Sequence, residues 1–206
     1  MRLQHPFEIV TPTLDGDVLA VLAGADEWFA VQSINALNPN RSDEGIRKTL
    51  KRLVSTGIVE ELSAGRSHLY RLNRDHLGAA PILQLASFKE TFYSQIRSLV
   101  GSWKIKPLYV ALFGSAARGQ MEADSDIDLF LIQPDGASDT LWQEQVNELT
   151  ERASKWVGSD VRPLLYTESD ISRLGRAQPV FEYIADEGIP LFGERILFLN
   201  LLRKTV

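Results

Sequence analysis

Asp126 and Asp128 stand two residues apart at the head of an apolar run, Ile127 to Ile132. Such a run reads as a buried strand, and strand side chains repeat every two residues, so both carboxylates share one face. Ile127, Leu129 and Leu131 take the opposite face, toward a core. An earlier apolar run, Leu108 to Phe113, is a second strand, and it leads into Gly114-Ser115 and then Ala116-Ala117-Arg118-Gly119, the first turn of a short helix. Glycine at 114 lets a backbone N–H approach a phosphate oxygen with no Cβ in the way. Ser115 sits where a helix N-terminus presents free N–H groups and a positive dipole end. Two oxygen ligands side by side suit magnesium, which takes one or two carboxylates together with substrate phosphates. The combination predicts a site for a metal-bound triphosphate, with in-line attack at the α-phosphorus as its chemistry.

The stretch GSAARGQMEADSDIDLFLI resembles the signature of the polymerase-β-type nucleotidyltransferase superfamily, in its small bacterial branch. That signature is a hydrophobic residue, Gly-Ser, about ten residues, then Asp-hydrophobic-Asp-hydrophobic. The resemblance implies that Gly114 and Ser115 hold the triphosphate and that Asp126 and Asp128 hold Mg2+; Arg118, on the helix that follows, could either pair with phosphate oxygens or form a helix-surface salt bridge. The resemblance also implies a third carboxylate on a third strand, facing the pair. Here Asp160 stands just before that strand, Val161 to Tyr166, while Arg162 occupies the position where a family aspartate is expected. Asp160 and Arg162 share a face by the two-residue period, so either could point at the site. Asp160 there would be the catalytic carboxylate, as general base or as a ligand of the catalytic metal, and is otherwise a helix-end cap or loop residue. Arg162 in that place would instead neutralise phosphate and leave transfer slow or absent.

These residues need elements to position them. Phe88 to Trp103 carries Phe88, Phe92, Ile96, Leu99, Val100 and Trp103 at helical spacing, ahead of the first strand. Pro134-Asp135-Gly136 is a turn, and Thr140 to Val157 is an amphipathic helix whose tryptophans belong to the core. Thr167-Glu168-Ser169-Asp170 is a capping box opening a helix, so Glu168 and Asp170 are cap residues. Pro179 to Glu187 and Ile196 to Leu202 are further helices, the last expected against a partner or the N-terminal domain. Ile189 to Gly193 is a short extended step. Strands alternating with helices predict a small mixed sheet with helices on one face.

The first eighty residues have a different grammar. Thr13 to Leu22 and Val31 to Leu37 read as helices, and Ser42 to Thr56 as a third, with Ser42 as N-cap and Asp43 and Glu44 in its positive first turn. On that helix Ile46, Leu50, Leu53 and Val54 form one stripe, and Lys48, Lys51, Arg52 and Ser55 the opposite one. Ile58 to Leu62 and Ser67 to Leu72 form a hairpin around Ala64-Gly65-Arg66. Residues 41–74 hold eight Lys or Arg against four Asp or Glu, a balance of +4 within a chain of net charge −5. The order of helices, basic helix and hairpin resembles a winged helix-turn-helix domain of bacterial regulators. That resemblance implies double-stranded DNA as partner, with Lys48, Lys51 and Arg52 as helix contacts and Arg66 at the wing.

Asp75 to Pro81 breaks the pattern with Gly and Pro, which puts the domain boundary there. The expected fold class is α+β: a winged helix-turn-helix over 1–80, then a nucleotidyltransferase-fold domain over 81–206 with a small mixed sheet and flanking helices. Cysteine is absent, excluding disulfides, thiol catalysis and zinc–cysteine sites. No apolar run approaches the length of a membrane span and the N-terminus lacks a signal core, so a cytoplasmic location is expected. The readings are a Mg-dependent transferase moving a nucleoside monophosphate from an NTP to a hydroxyl acceptor, a DNA-binding regulator with a non-catalytic nucleotide sensor, and an antitoxin-like partner-binding module. A homodimer is compatible with each.

Overall fold

Hydrophobic periodicity and caps dictate where the elements of the computed structural model begin and end; it describes residues 1–39, 41–65 and 67–203. The chain divides into two compact units, one of residues 5–88 and one of residues 1–4 with 89–206.

In the first unit, α1 (Leu14–Gly24) leads to a two-residue strand β1 (Phe29–Ala30), then α2 (Val31–Ala36) and α3 (Asp43–Ser55). The hairpin strands β2 (Val59–Ala64) and β3 (Ser67–Leu72) follow, and α4 (Ala79–Ala86) closes the unit. Ser42 caps α3 as expected, its Oγ accepting from the Gly45 N–H at 3.1 Å, and Gly57 at φ +79° ends it. The three strands form an antiparallel sheet in the order β1-β3-β2. The β1 pairing is invisible in the sequence because two residues carry no periodicity. Val18, Leu22, Ile34, Ile46 and Leu50 are fully buried in one core, with Leu72 from β3. Ala79 is buried in the same core, and Ile82, Leu83 and Ala86 pack against it. The contacts therefore divide the chain after Phe88, whereas the glycine–proline break suggests residue 80; α4 lies with the first unit because its apolar face is used there.

In the second unit α5 (Phe88–Gly101, its first residue counted with the first unit) precedes β4 (Tyr109–Phe113), the short α6 (Gly114–Arg118) and β5 (Ile127–Gln133). Next come α7 (Asp139–Val157), β6 (Val161–Thr167), α8 (Glu168–Leu174), α9 (Pro179–Glu187), β7 (Ile189–Phe192) and α10 (Arg195–Arg203). The four strands are ordered β6-β5-β4-β7, with β5 and β6 parallel and the other pairs antiparallel. The extended step at Ile189 is thus an edge strand on β4.

The sheet is covered on both faces, which corrects the expectation of helices on one. Tyr109, Ala111, Phe130 and Ile132 are fully buried against Ile171 of α8, Phe181 and Ile184 of α9, and Phe198 of α10. The alternate residues Val110, Leu112, Leu129 and Leu131 are equally buried; the buried stripes of α5 and α7 are left for that face. An uninterrupted apolar run is what a two-sided strand requires, and Leu129 to Ile132 is such a run. The last helix packs within this unit, Phe198 stacking on Tyr109 with ring centroids 5.5 Å apart. Trp103 and Trp142 meet edge to face at 5.5 Å, both buried, as core residues. Leu3 is also buried, and the Gln4 side-chain amide donates to the Met121 carbonyl, so the first four residues pack on this unit.

Candidate functional site

Antiparallel pairing of β4 with β5 sets Phe113 opposite Asp128, which brings the Gly-Ser turn up against the carboxylate. The chain leaves β4 through Gly114 at φ +70°, a left-handed conformation that disfavours any Cβ. A Cβ at 114 would also lie 2.5 Å from Asp128 Oδ2. Two independent constraints therefore demand glycine here, one from the backbone and one from the acid it touches. The short α6 follows, and Gly119 ends it at φ +66°.

Asp126 and Asp128 flank Ile127, which is fully buried, and both carboxylates are partly exposed. The loop before them is tied by the Glu122 N–H donating to Ser125 Oγ at 2.8 Å. Burial pushes the Asp128 carboxyl above its ordinary range, the negative charge of Asp126 pushes it further, and Arg162 and Arg118 pull it back. A positive ion at this place would relieve that penalty.

The parallel register of β5 and β6 places Val161 beside Ile127 and Arg162 beside Asp128. Asp160 precedes the strand; its carbonyl accepts from the Ile127 N–H at 2.8 Å, and its side chain is exposed. Arg162 reaches across to Asp126, Nη1 to Oδ2 at 2.6 Å. Among the described residues no group of three or more His, Cys, Asp or Glu is gathered as a metal would require. The two aspartates are an oxygen-only donor pair of the kind a hard divalent cation takes, with phosphate oxygens left to complete its shell.

Arg118 points elsewhere: its Nη1 meets Glu187 at the end of α9 at 3.0 Å and its Nε donates to Gln120. Asp170 is a cap residue, Thr167 Oγ1 accepting from its N–H and its carboxylate accepting from the Thr167 N–H, in a complete capping box. On α3, Lys48, Lys51 and Arg52 are exposed. Arg52 pairs with Asp15 of α1, Arg41 with Asp17, and Arg71 with Glu60, so much of the local positive charge is neutralised within the unit. Lys48 and Lys51 make no ion pair among the described residues. Arg66 lies outside the described residues.

The residue that the sequence reading left undecided is Arg162. Its arrival beside the acid pair follows from the β5–β6 register, which only the paired strands reveal.

A comparison with curated proteins finds no match. Among solved structures, a toxin–antitoxin complex with AMP-PNP is 22% identical, covering 54% of this chain and 82% of its own, at a TM-score of 0.39. A toxin–antitoxin MntA–HepT structure is 19% identical, covering 56% and 81%, at 0.36. A tri-AMPylated Shewanella oneidensis HEPN toxin in complex with MNT antitoxin gives 17%, 55% and 83%, also at 0.36. Likeness this distant carries no argument about activity or partner. No helix among the described residues is long and apolar enough to cross a membrane. The family model described as Nucleotidyltransferase domain matches residues 95–189, a segment holding Gly114, Ser115, Asp126, Asp128 and Arg162, and it is to that domain that this part of the chain is similar.

Proposed function

We propose that the unit of residues 89–206 binds a nucleoside triphosphate over Gly114 and Ser115 and transfers the nucleoside monophosphate to a hydroxyl acceptor. The observation that carries this is the seating of Asp128 against the Cβ-less face of Gly114, with Asp126 two residues earlier, just ahead of the strand. Asp126 and Asp128 would hold Mg2+, which when bound supplies charge neutralisation at the phosphates. Gly114 leaves room for phosphate oxygens at the turn, and Ser115 lines it. Asp160, one step ahead of β6, is the carboxylate proposed to accept the proton of the attacking hydroxyl. Arg118, held by Glu187 and Gln120, would have to leave those partners to reach a phosphate.

The test is pyrophosphate release from ATP and GTP with Mg2+. Release is expected from the native chain and should fall at least about 100-fold in Asp126→Ala and Asp128→Ala, the scale of removing an electrostatic group from a transferase centre. A smaller fall in Asp160→Asn would support its role as base.

A second reading is favoured by Arg162 beside Asp128: a nucleotide sensor or partner-binding module without turnover. Tight ATP binding with no pyrophosphate release would select it.

For residues 5–88 we infer a winged helix-turn-helix that binds duplex DNA. The order α1-β1-α2-α3-β2-β3, with a three-stranded antiparallel sheet and exposed Lys48 and Lys51 on α3, supports this reading. Each phosphate contact releases counterions, so the slope of affinity against salt should shrink by about 1–2 in Lys48→Ala/Lys51→Ala. An unchanged slope in a fluorescence titration would remove this assignment.

A further inference from the structure

We infer that Arg162 is a latch on the acid pair: its guanidinium holds Asp126 as an internal counter-cation and must be displaced before a divalent ion can bind there. The inference rests on the reading of Asp126 and Asp128 as ion ligands and deepens it by naming the residue that governs access.

Three observations meet at this side chain. The β5–β6 register puts Arg162 next to Asp128. Its Nη1 lies 2.6 Å from Asp126 Oδ2, a charge-assisted contact on one of the carboxylates read as ion ligands. Its side chain is 66% exposed against 27% for Asp126. The acid is therefore the more enclosed partner, while the guanidinium can swing into solvent.

The exposure decides how firmly the latch is held. A solvent-exposed ion pair is worth little, so displacement is easy for a ligand that brings higher charge density to the same oxygen. A guanidinium and a divalent ion cannot share Asp126 at close range without repulsion, which makes the two occupants alternatives. A Mg-nucleotide is well suited to the exchange. Its ion takes the carboxylates while its phosphates offer the freed guanidinium a new anionic partner, in the forked geometry arginine prefers. In the free protein one of the two carboxylates would thus already be paired, and bare metal would bind less tightly than it would without the guanidinium.

The experiment is titration of the full chain with Mn2+ alone, without nucleotide, followed by calorimetry or by water-proton relaxation. Arg162→Gln is expected to bind Mn2+ about tenfold more tightly than the native chain, the scale of removing a like charge a few ångströms away near a solvated surface. Arg162→Lys, which keeps the charge, should stay within about twofold of the native chain, whereas Arg162→Asp, which adds a carboxylate, should exceed Arg162→Gln. Asp126→Asn combined with Arg162→Gln should lose the gain. Equal Mn2+ affinity in the native chain and Arg162→Gln overturns the latch. Failure of ATP to bind either protein while the Mn2+ gain persists would instead remove the nucleotide reading and leave the latch standing.

Discussion

Asp128 is where folding and chemistry compete. Partial burial and the charge of Asp126 raise its pKa, and Arg162 and Arg118 offset this only in part. A carboxyl whose pKa is higher folded than unfolded binds its proton more readily in the native state. Its stabilising contribution is therefore present below the ordinary carboxylate range and is lost as pH rises through the raised value. Asp128→Asn is accordingly expected to melt at a higher temperature than the native chain at pH 7, with the difference closing by pH 3. Calorimetric melting at the two pH values checks it, and equal melting temperatures at both would show that the acid carries no such penalty. Gly114 belongs to the same trade: its positive φ and its contact with Asp128 Oδ2 give up chain entropy to bring backbone and carboxylate together.

The elements divide into those specified locally and those specified by their neighbours. The amphipathic α3 is local: Ser42 caps it, acids fill its first turn, and Ile46, Leu50 and Leu53 line its buried side. Ser42→Ala should cost the 5–88 unit about 1 kcal/mol of stability, read as a lower urea midpoint from amides in α3. Because Gly45 N–H is the group released, its hydrogen exchange should quicken most. Strand β7 and strand β1 are specified by neighbours. Ile189 to Phe192 reads on its own only as a short extended step, and becomes a strand because β4 offers an open edge. Phe29 and Ala30 do so because β3 offers another.

The chain divides into two compact units, and its first four residues belong to the later one. Leu3 is buried in the unit otherwise built from residues 89–206, beside a side-chain bond from Gln4 to Met121. Leu3→Ala should destabilise that unit by about 2–5 kcal/mol. Hydrogen exchange is expected to accelerate in β4 and β5 while the amides of α3 stay as they are, since the 5–88 core contains no part of Leu3. Acceleration confined to α3 would contradict the division. The charge ledger also belongs to this scale. The balance of +4 over residues 41–74 shrinks in its reach once Arg41, Arg52 and Arg74 are spent on Asp17, Asp15 and Asp26, acids outside that segment.

Pieces that depend on near neighbours are legible in the amino-acid order. These are the helices with their caps, the two apolar strands around the Gly-Ser turn, and the capping role of Asp170. Each follows from a period of two or 3.6 residues, or from a glycine whose conformation no other residue adopts easily. Long-range pairing fixes what Arg162 faces, that Arg118 is held by Glu187, that helices cover both sides of the sheet, and that Leu3 is buried with the later unit. Those outcomes come from strand register and side-chain pairing between positions far apart in the chain, which no local spacing encodes.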